Sequence, residues 1–475
     1  MPRSVCVHPS HRDAVAAALK RNGFLTQGAL AVHLEMALST VNNFCRGVNV
    51  SVAKFEEISE TLGLEAPTLV QDAAAPVPSS GQDTVAQIEA ASPLVENFFA
   101  YDSMWVGRET LTDALLTKLR GACRLLLLVG ISGVGKTALG ERLALFLAKE
   151  CQLIRENFDS QDRAIDFASF AARLLEKCGQ PVAPEDRQNA QQLSHRLVQH
   201  LKETPYLLIL DSWEVILSGN ETGQSRFQDE GYLLWLQQLL AAESCKSRLI
   251  ITSQALPAAL SVAASRYQNF WHVEPLTGLS VEERLALFEK TGFEMTEDSA
   301  TRTYLERIGE AYSGHPLALR VITGEIGSRP FFGNVAAYWK RYGSEIEAVE
   351  QAITQAAEGQ VSGADDDWKL DRLTQALQHN VRQRLEQTFN RLEQEARYAY
   401  LLLCTAAVYR CAVPEDWWLS HLDFWTEDGA EQRAAMEALR DRCLVEESLD
   451  EDEWQVKQHN LIRSVSLDRL SGLEQ

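Results

Sequence analysis

Nothing in this chain is long and apolar enough to span a bilayer. The longest apolar run, Leu125 to Ile131, falls far short of the ~20 residues a membrane helix needs. No apolar stretch follows the arginine near the N-terminus, so no secretory signal is visible. Cysteine is sparse and scattered: nine residues, with no CxxC pair and no Cys/His cluster at metal-binding spacing. That pattern argues against a disulfide frame or a zinc site and for a reducing, cytoplasmic setting. Basic residues are outnumbered too. Forty-five Lys and Arg face 66 Asp and Glu, a net charge of −21, which excludes tight nonspecific nucleic-acid binding by the whole molecule. Any DNA contact has to be local. Repeats of solenoid or propeller period are also missing.

What is present divides by composition. At 475 residues the chain is long enough for about three or four domains. Residues 1–65 carry short helical patterns. Residues 66–94, with Pro67, Pro76, Pro78, Ala73–Ala75 and Ser79-Ser80-Gly81, bury too little apolar surface to fold and read as a linker. From Phe98 short apolar runs alternate with amphipathic stretches, the pattern of an α/β domain. Beyond about residue 275 helical spacing dominates, over Tyr304–Ser328, Asn334–Thr354 and Lys369–Cys404, with no strand run until the last thirty or so residues.

The strongest motif is local. Leu125–Val129 suits a strand buried on both faces and runs into Gly130-Ile131-Ser132-Gly133-Val134-Gly135-Lys136-Thr137, a full GxxxxGK[ST] match. Leu139, Leu143 and Leu147 then recur at helical spacing. Glycines let the backbone N–H groups of Gly130 to Ala138 curl around phosphates, and the helix N-terminus adds partial positive charge. Lys136 is placed to reach the terminal phosphates, and the Thr137 hydroxyl to ligate Mg²⁺. A plain glycine turn would not require the lysine and threonine. The expected cofactors are ATP or ADP with Mg²⁺.

A second apolar run, Tyr206–Leu210, ends in Asp211-Ser212-Trp213-Glu214. An acid at the end of a central strand is where such a fold places its Mg²⁺ carboxylate, so Asp211 takes that role. Glu214 is either the group that orients an attacking water or a solvated residue past the strand. Trp213 reads as packing. Arg248–Ile251 is a third strand candidate, followed by Thr252-Ser253-Gln254.

In this order the pieces resemble the NB-ARC group of STAND ATPases, nucleotide-driven signalling switches, over about residues 95–475. Trp105-Val106-Gly107-Arg108-Glu109 is similar to that family's VGRE motif, which implies adenine contacts from the backbones of Val106 and Arg108. Ser313-Gly314-His315-Pro316-Leu317-Ala318-Leu319 is similar to GxPLAL, whose proline, here Pro316, packs on the base. Gln458-His459-Asn460 falls where the family carries MHD, which implies that His459 touches the β-phosphate of ADP and holds a closed state. Three positions depart from the pattern. The acidic motif is closer to that of the related NACHT group, Gln254 stands where a sensing arginine is usual, and Asn460 replaces an aspartate. The resemblance implies an ADP-locked monomer that self-associates on binding ATP, with turnover slow or confined to a single round. Family members continue into a sensing repeat array. Either a separate protein is the sensor, or the sensor lies outside this sequence.

The fold class expected is multidomain α/β plus α. A helix-turn-helix unit (1–65) and linker (66–94) precede a P-loop parallel-sheet domain (95–272), a helical domain (273–368) and a winged-helix domain (369–475). In the first unit Arg12–Arg21, Gln27–Leu34, Ser39–Arg46 and Val52–Leu62 read as helices, with Ser39 as an N-cap and Gly47 as a stop. Val41 and Phe44 face inward; Thr40, Asn42, Asn43 and Arg46 are expected to project. The pattern is similar to phage-repressor DNA-binding units, in which Asn and Arg read bases. Six Lys/Arg against six Asp/Glu over residues 1–66 leave only a thin phosphate patch, so DNA and protein docking both stay open. The acid clusters Asp365–Asp367 and Leu449–Glu453 read as solvated loops, and Trp417, Trp418 and Trp425 as packing. No metabolic acceptor site with its own catalytic base is apparent.

Overall fold

A computed structural model describes residues 4–24, 27–70, 105–159, 166–219, 225–293, 295, 300–358, 372–450 and 453–473. They fall into two compact units: Met1–Gly107, Leu279–Gln355 and His379–Gln475 form one, and Arg108–Gly278 with Ala356–Gln378 the other.

The chain opens with β1 (Ser4–Val5), paired antiparallel with β2 (Val50–Ser51). Between and after them come α1 (Arg12–Arg21), α2 (Gln27–His33), α3 (Leu38–Arg46), α4 (Val52–Thr61) and α5 (Ala66–Val70). Val41, Phe44, Phe55 and Ile58 are fully buried, with the two phenylalanine rings 5.0 Å apart. Gly47 ends α3 with φ of +70°, and a Cβ there would lie 2.5 Å from the Val7 carbonyl.

Three expectations need correction. Helix α3 starts one residue before Ser39, and its N-cap, Ala37, makes no side-chain cap bond. Residues Ala66–Val70, assigned to the linker, form α5 with Pro67 in its first turn, where a missing N–H costs nothing; residues 71–94 lie outside the described part. Thr40 and Asn42 do not project into solvent. Both are buried, because other segments of the same unit cover them.

In the second unit a five-stranded parallel sheet has the order β4-β5-β8-β3-β9. Its strands are β3 (Leu125–Val129), β4 (Gln152–Asn157), β5 (Tyr206–Asp211), β8 (Arg248–Ser253) and β9 (Trp271–Pro275). A small hairpin of β6 (Leu217–Gly219) and β7 (Ser225–Phe227) lies between β5 and β8 in the chain. The helices are α6 (Glu109–Arg120), α7 (Lys136–Leu147), α8 (Phe167–Lys177), α9 (Ala190–Glu203), α10 (Gly231–Ala241) and α11 (Ala258–Ala264). Strands flanked on both sides are largely apolar, as β3 is throughout and β5 is up to its terminal Asp211. Trp213 is fully buried against Phe227 and Tyr232. Strand β9 crosses the boundary placed at residue 272 and ends at Pro275. Because β8 lies between β3 and β5, the carboxyl ends of all three strands converge on one edge.

The rest of the first unit is mainly helical. Helix α12 (Val281–Lys290) begins with a capping box of Ser280 and Glu283. Next come α13 (Ala300–Ala311), α14 (Pro316–Gly327), α15 (Val335–Glu358), α16 (Arg372–Glu395) and α17 (Arg397–Thr405). The stretch of helical spacing over Tyr304–Ser328 comprises two helices, broken where Ser313 and Gly314 take φ of 49° and 70°. Likewise α16 and α17 are separated at Ala396, and Lys369–Asp371 lie outside the described residues. Inside this region Glu325 accepts bonds from Arg384, Arg391 and Thr388, and both arginines also reach Glu345.

The end of the chain carries β10 (Val413–Pro414), α18 (Glu415–Leu419), α19 (Gly429–Asp441), β11 (Glu446–Asp450), β12 (Glu453–Lys457) and α20 (Asn460–Leu473). The sheet order is β10-β12-β11, all antiparallel. Strand β10, two residues long, is too short for any periodic signal. Trp418 is a core residue as expected, whereas Trp417 is 55% and Trp425 39% exposed, so these two lie outside the core and each meets one neighbouring ring, Tyr409 and Phe424 respectively. Leu449, Asp450 and Glu453 are strand residues of the hairpin rather than loop, and Asp365–Asp367 lie outside the described part.

Candidate functional site

The phosphate-loop motif folds as its residue types demand. Strand β3 delivers the chain to Gly130, whose N–H donates to the Ser253 carbonyl at 3.2 Å. A Cβ at Gly130 would sit 2.7 Å from the Leu276 carbonyl. Gly133 and Gly135 take φ of 82° and 95°, the left-handed region that favours glycine. Gly135 is the N-cap of α7, so the amides of the first turn, including Lys136 to Ala138, lack helical acceptors and are available to an anion. Val134 is buried beneath the loop, and Ser132 is half-buried.

Lys136 is buried. Its Nζ donates to the carbonyls of Gly130 at 2.8 Å and Ile131 at 3.0 Å. Burial lowers its pKa, and the charges of Glu214 and Asp211 pull the other way. The Thr137 hydroxyl donates to Asp211 Oδ1 at 2.8 Å, closing a gap of 74 residues in sequence. Asp211 also accepts from the Thr252 hydroxyl, which itself accepts from the Ser212 N–H at 3.1 Å.

Two neighbours of this centre have contacts that the sequence does not foretell. Arg155, on β4, pairs with Glu141 of α7 and lies 3.4 Å from Asp211 Oδ2. Gln254, read only as the residue in place of an arginine, binds Glu214 twice. Its side-chain amide donates at 2.8 Å and its backbone N–H at 3.2 Å.

Arg108 has φ of 62° and caps α6. Its guanidinium donates to the Val134 carbonyl at 2.8 Å and the Thr277 carbonyl at 2.9 Å, tying the loop to the segment after β9. The motif pointed only to its backbone. Arg108, Gly130 to Ala138, Asp211 and Glu214 are therefore residues of one unit.

Val106, Pro316 and His459 belong to the other unit. Val106 lies in a turn where Trp105 Nε1 donates to the Gly107 carbonyl at 2.8 Å, and a Cβ at Gly107 would strike Glu283. Pro316 is the first residue of α14. The fully buried His315 caps that helix, accepting from the Ala318 N–H at 3.3 Å. His459 Nδ1 accepts from the Leu461 N–H at 3.1 Å at the start of α20. Gln458 anchors the same corner: its amide donates to the Leu403 carbonyl at 2.7 Å and its carbonyl accepts from Ser466 at 2.9 Å. Asn460 is exposed. Among the described residues no group of three or more His, Cys, Asp or Glu gathers at metal-binding spacing, and no helix is long and apolar enough to cross a membrane.

Residues 104–252 match the family model described as AAA ATPase domain. An uncharacterised WD repeat-containing protein of Nostoc sp. (strain PCC 7120) is 30% identical over 226 residues, covering 46% of this chain and 17% of that protein. Among solved structures, the Aeropyrum pernix Orc1 protein in complex with DNA aligns at 13% identity and a TM-score of 0.34, over 78% of this chain and 94% of that one. AMPPCP-bound DnaA from Aquifex aeolicus aligns at 14% and 0.32, over 71% and 88%. Scores this low carry no weight for function. The part of the chain that holds the phosphate loop, β5 and most of β8 thus matches an AAA ATPase domain, a coarser assignment than the NB-ARC group its motifs resemble.

Proposed function

We propose that the chain is an ATP/ADP-dependent signalling switch of the STAND class, built on a Mg²⁺-dependent nucleotide site. The observation that carries the reading is the Thr137–Asp211 contact beside the buried Lys136 ammonium. A hydroxyl and a carboxylate within hydrogen-bond reach are hard oxygen donors of the kind Mg²⁺ takes. A lysine resting on its own loop's carbonyls has exchanged strong hydration for two neutral acceptors, and a phosphate oxygen is a stronger partner. The chain's residues therefore fit a magnesium-bound nucleoside triphosphate.

Thr137 and Asp211 are the residues that would hold the metal, and Lys136 the one that would bind the terminal phosphates. The nucleotide, when bound, supplies a phosphoanhydride whose cleavage resets the switch. Glu214, fixed by Gln254, is placed to orient a water and accept its proton. Val106, Arg108 and Pro316 are proposed for the adenine, and His459 for the ADP-bound state, on the motifs that name them. Exchange of ADP for ATP shifts the population toward a self-associating form, because the two nucleotides make different contacts. A sensor acting on this chain is part of the proposal. The Nostoc relative's name records WD repeats, which are one kind of repeat array.

The test is nucleotide titration of Lys136→Ala. Removal of that charge should weaken ATP affinity on the order of 10²-fold. Mass analysis should show larger assemblies with a non-hydrolysable ATP analogue than with ADP for the natural chain alone. Equal affinity, or equal assembly, in the variant would end the proposal.

A second reading makes the same engine serve a DNA-bound regulator. It is favoured by α2 and α3, two short helices joined by a tight turn within a five-helix unit, as in helix-turn-helix folds.

A further inference from the structure

Helix α3 carries the side chains that the helix-turn-helix reading assigns to base contact, and three of the four, Thr40, Asn42 and Arg46, are engaged by another segment of their own unit. The Asn42 amide and the Arg46 guanidinium both donate to the Lys290 carbonyl, each at 2.8 Å. Lys290 is the last residue of α12, so this carbonyl belongs to the turn that has no helical donor. The Thr40 hydroxyl donates to Asp441 Oδ1 at 3.1 Å. Lys54, at the start of α4, lies 2.9 Å from Glu437 and 3.7 Å from Asp441, both on α19. The backbone approach is close: a Cβ at Gly292 would lie 3.2 Å from Asn42, and one at Gly333 would lie 2.8 Å from Leu38.

All four polar side chains act as donors and all four face oxygen. Two of the facing groups are carboxylates and the third is a carbonyl at the negative end of a helix. Phosphate oxygens and the acceptor edges of bases offer the same chemistry, and Asn and Arg are the side chains that read such edges. No acid lies between Met36 and Val52. A protein partner would call for an apolar anchor; on this face the apolar side chain Leu38 is already packed against Gly292 and Gly333.

We infer that the α3–α4 face, Thr40, Asn42, Arg46 and Lys54, is a duplex-DNA surface that Glu437, Asp441 and the carboxyl end of α12 occupy in competition. The inference rests on reading residues 1–65 as a helix-turn-helix. Release of the face takes Thr40 and Lys54 from Asp441, whose carboxylate then turns to water. Glu437 keeps Arg440 at 2.7 Å as a second partner, and the Lys290 carbonyl can turn to water. With a net charge of −21 on the whole chain, this local face is where a polyanion can approach.

The test uses the full chain and a short mixed-sequence DNA duplex, with hydrogen exchange read over α3. Glu437→Gln with Asp441→Asn should speed α3 exchange and tighten duplex binding roughly tenfold at low salt. Adding Asn42→Ala and Arg46→Ala should abolish the gain. If neither exchange nor binding changes, the competition is overturned; a natural chain that already binds DNA at full strength would also exclude it while keeping the helix-turn-helix reading. If exchange quickens but no duplex binds, or the freed face brings copies of the chain together instead, DNA is overturned as the partner.

Discussion

Gln254 holds Glu214 from two directions, with its side-chain amide on one carboxylate oxygen and its backbone N–H on the other. The glutamine is thereby a positioning residue for an acid, in a place where a cation that sensed phosphate directly was expected. If Glu214 activates water, Glu214→Gln should slow hydrolysis on the order of 10²-fold while leaving ATP affinity unchanged. Gln254→Ala should lose part of that rate and broaden its pH profile. A single-turnover assay paired with a binding titration checks both; parallel loss of affinity and rate would remove Glu214 from the water-activating role.

Asp211 accepts from Thr137 and Thr252 and lies near Arg155. Asp211→Asn keeps the hydrogen-bond shape and removes the charge a divalent cation needs. ATP affinity in excess magnesium should then fall to the value measured with a chelator, and the chelator value itself should barely move. A variant that retained the full magnesium enhancement would place the metal elsewhere.

Burial alone would push the Glu325 carboxyl up, but Arg384 and Arg391, with the Thr388 hydroxyl, more than offset it and hold it below its ordinary value of 4.5. A depressed carboxylate adds stability that is complete above the ordinary value and is lost as pH falls through the folded one. Glu325→Gln leaves two buried guanidiniums with only the partly exposed Glu345 as an anion and should cost about 3 kcal/mol at neutral pH. Denaturant melts at several pH values should show the difference between natural and variant chains shrinking in acid. A gap independent of pH would mean the carboxylate charge is not what the arginines require.

His459 has a structural task that competes with the one proposed for it, since its ring nitrogen caps α20. Loss of such a cap costs about 0.5–2 kcal/mol. His459→Asn keeps a capping acceptor and removes the imidazole, whereas His459→Ala removes both. If the residue senses ADP, both variants should release ADP faster in a stopped-flow chase. Faster release from the alanine variant alone would assign His459 to the cap.

Much of the candidate site's geometry is legible in the sequence because its information is local. Gly130 to Thr137 name their conformations within eight residues, and β3, β5 and β8 announce themselves as apolar runs because they are covered on both faces. Strand β4 sits at the sheet edge, so its sequence Gln152-Leu153-Ile154-Arg155-Glu156-Asn157 carries too few apolar residues to stand out, and Arg155 stayed hidden with it. Arg108 reaches a carbonyl 169 residues away, and Asn42 one 248 residues away. Helical periodicity put Val41 in the core, but it cannot report that a distant segment folds over Asn42 and buries it as well. His315 was legible only as part of a motif; that it is a buried cap follows from the turn at Gly314.

The ion cluster at Glu325 has a mechanical consequence for whatever motion the chain undergoes. It staples α14 and α15 to α16 through a cluster in which Glu325 and Arg384 are enclosed and Glu345 stays partly exposed. Sliding one of these helices past another would leave an ion in a dry interior, so a gradual shear is the most expensive deformation open to them. Within the unit they share, the three helices should behave as a stiff lever, and bending should be confined to turns such as Ser313-Gly314, where the backbone already occupies the left-handed region.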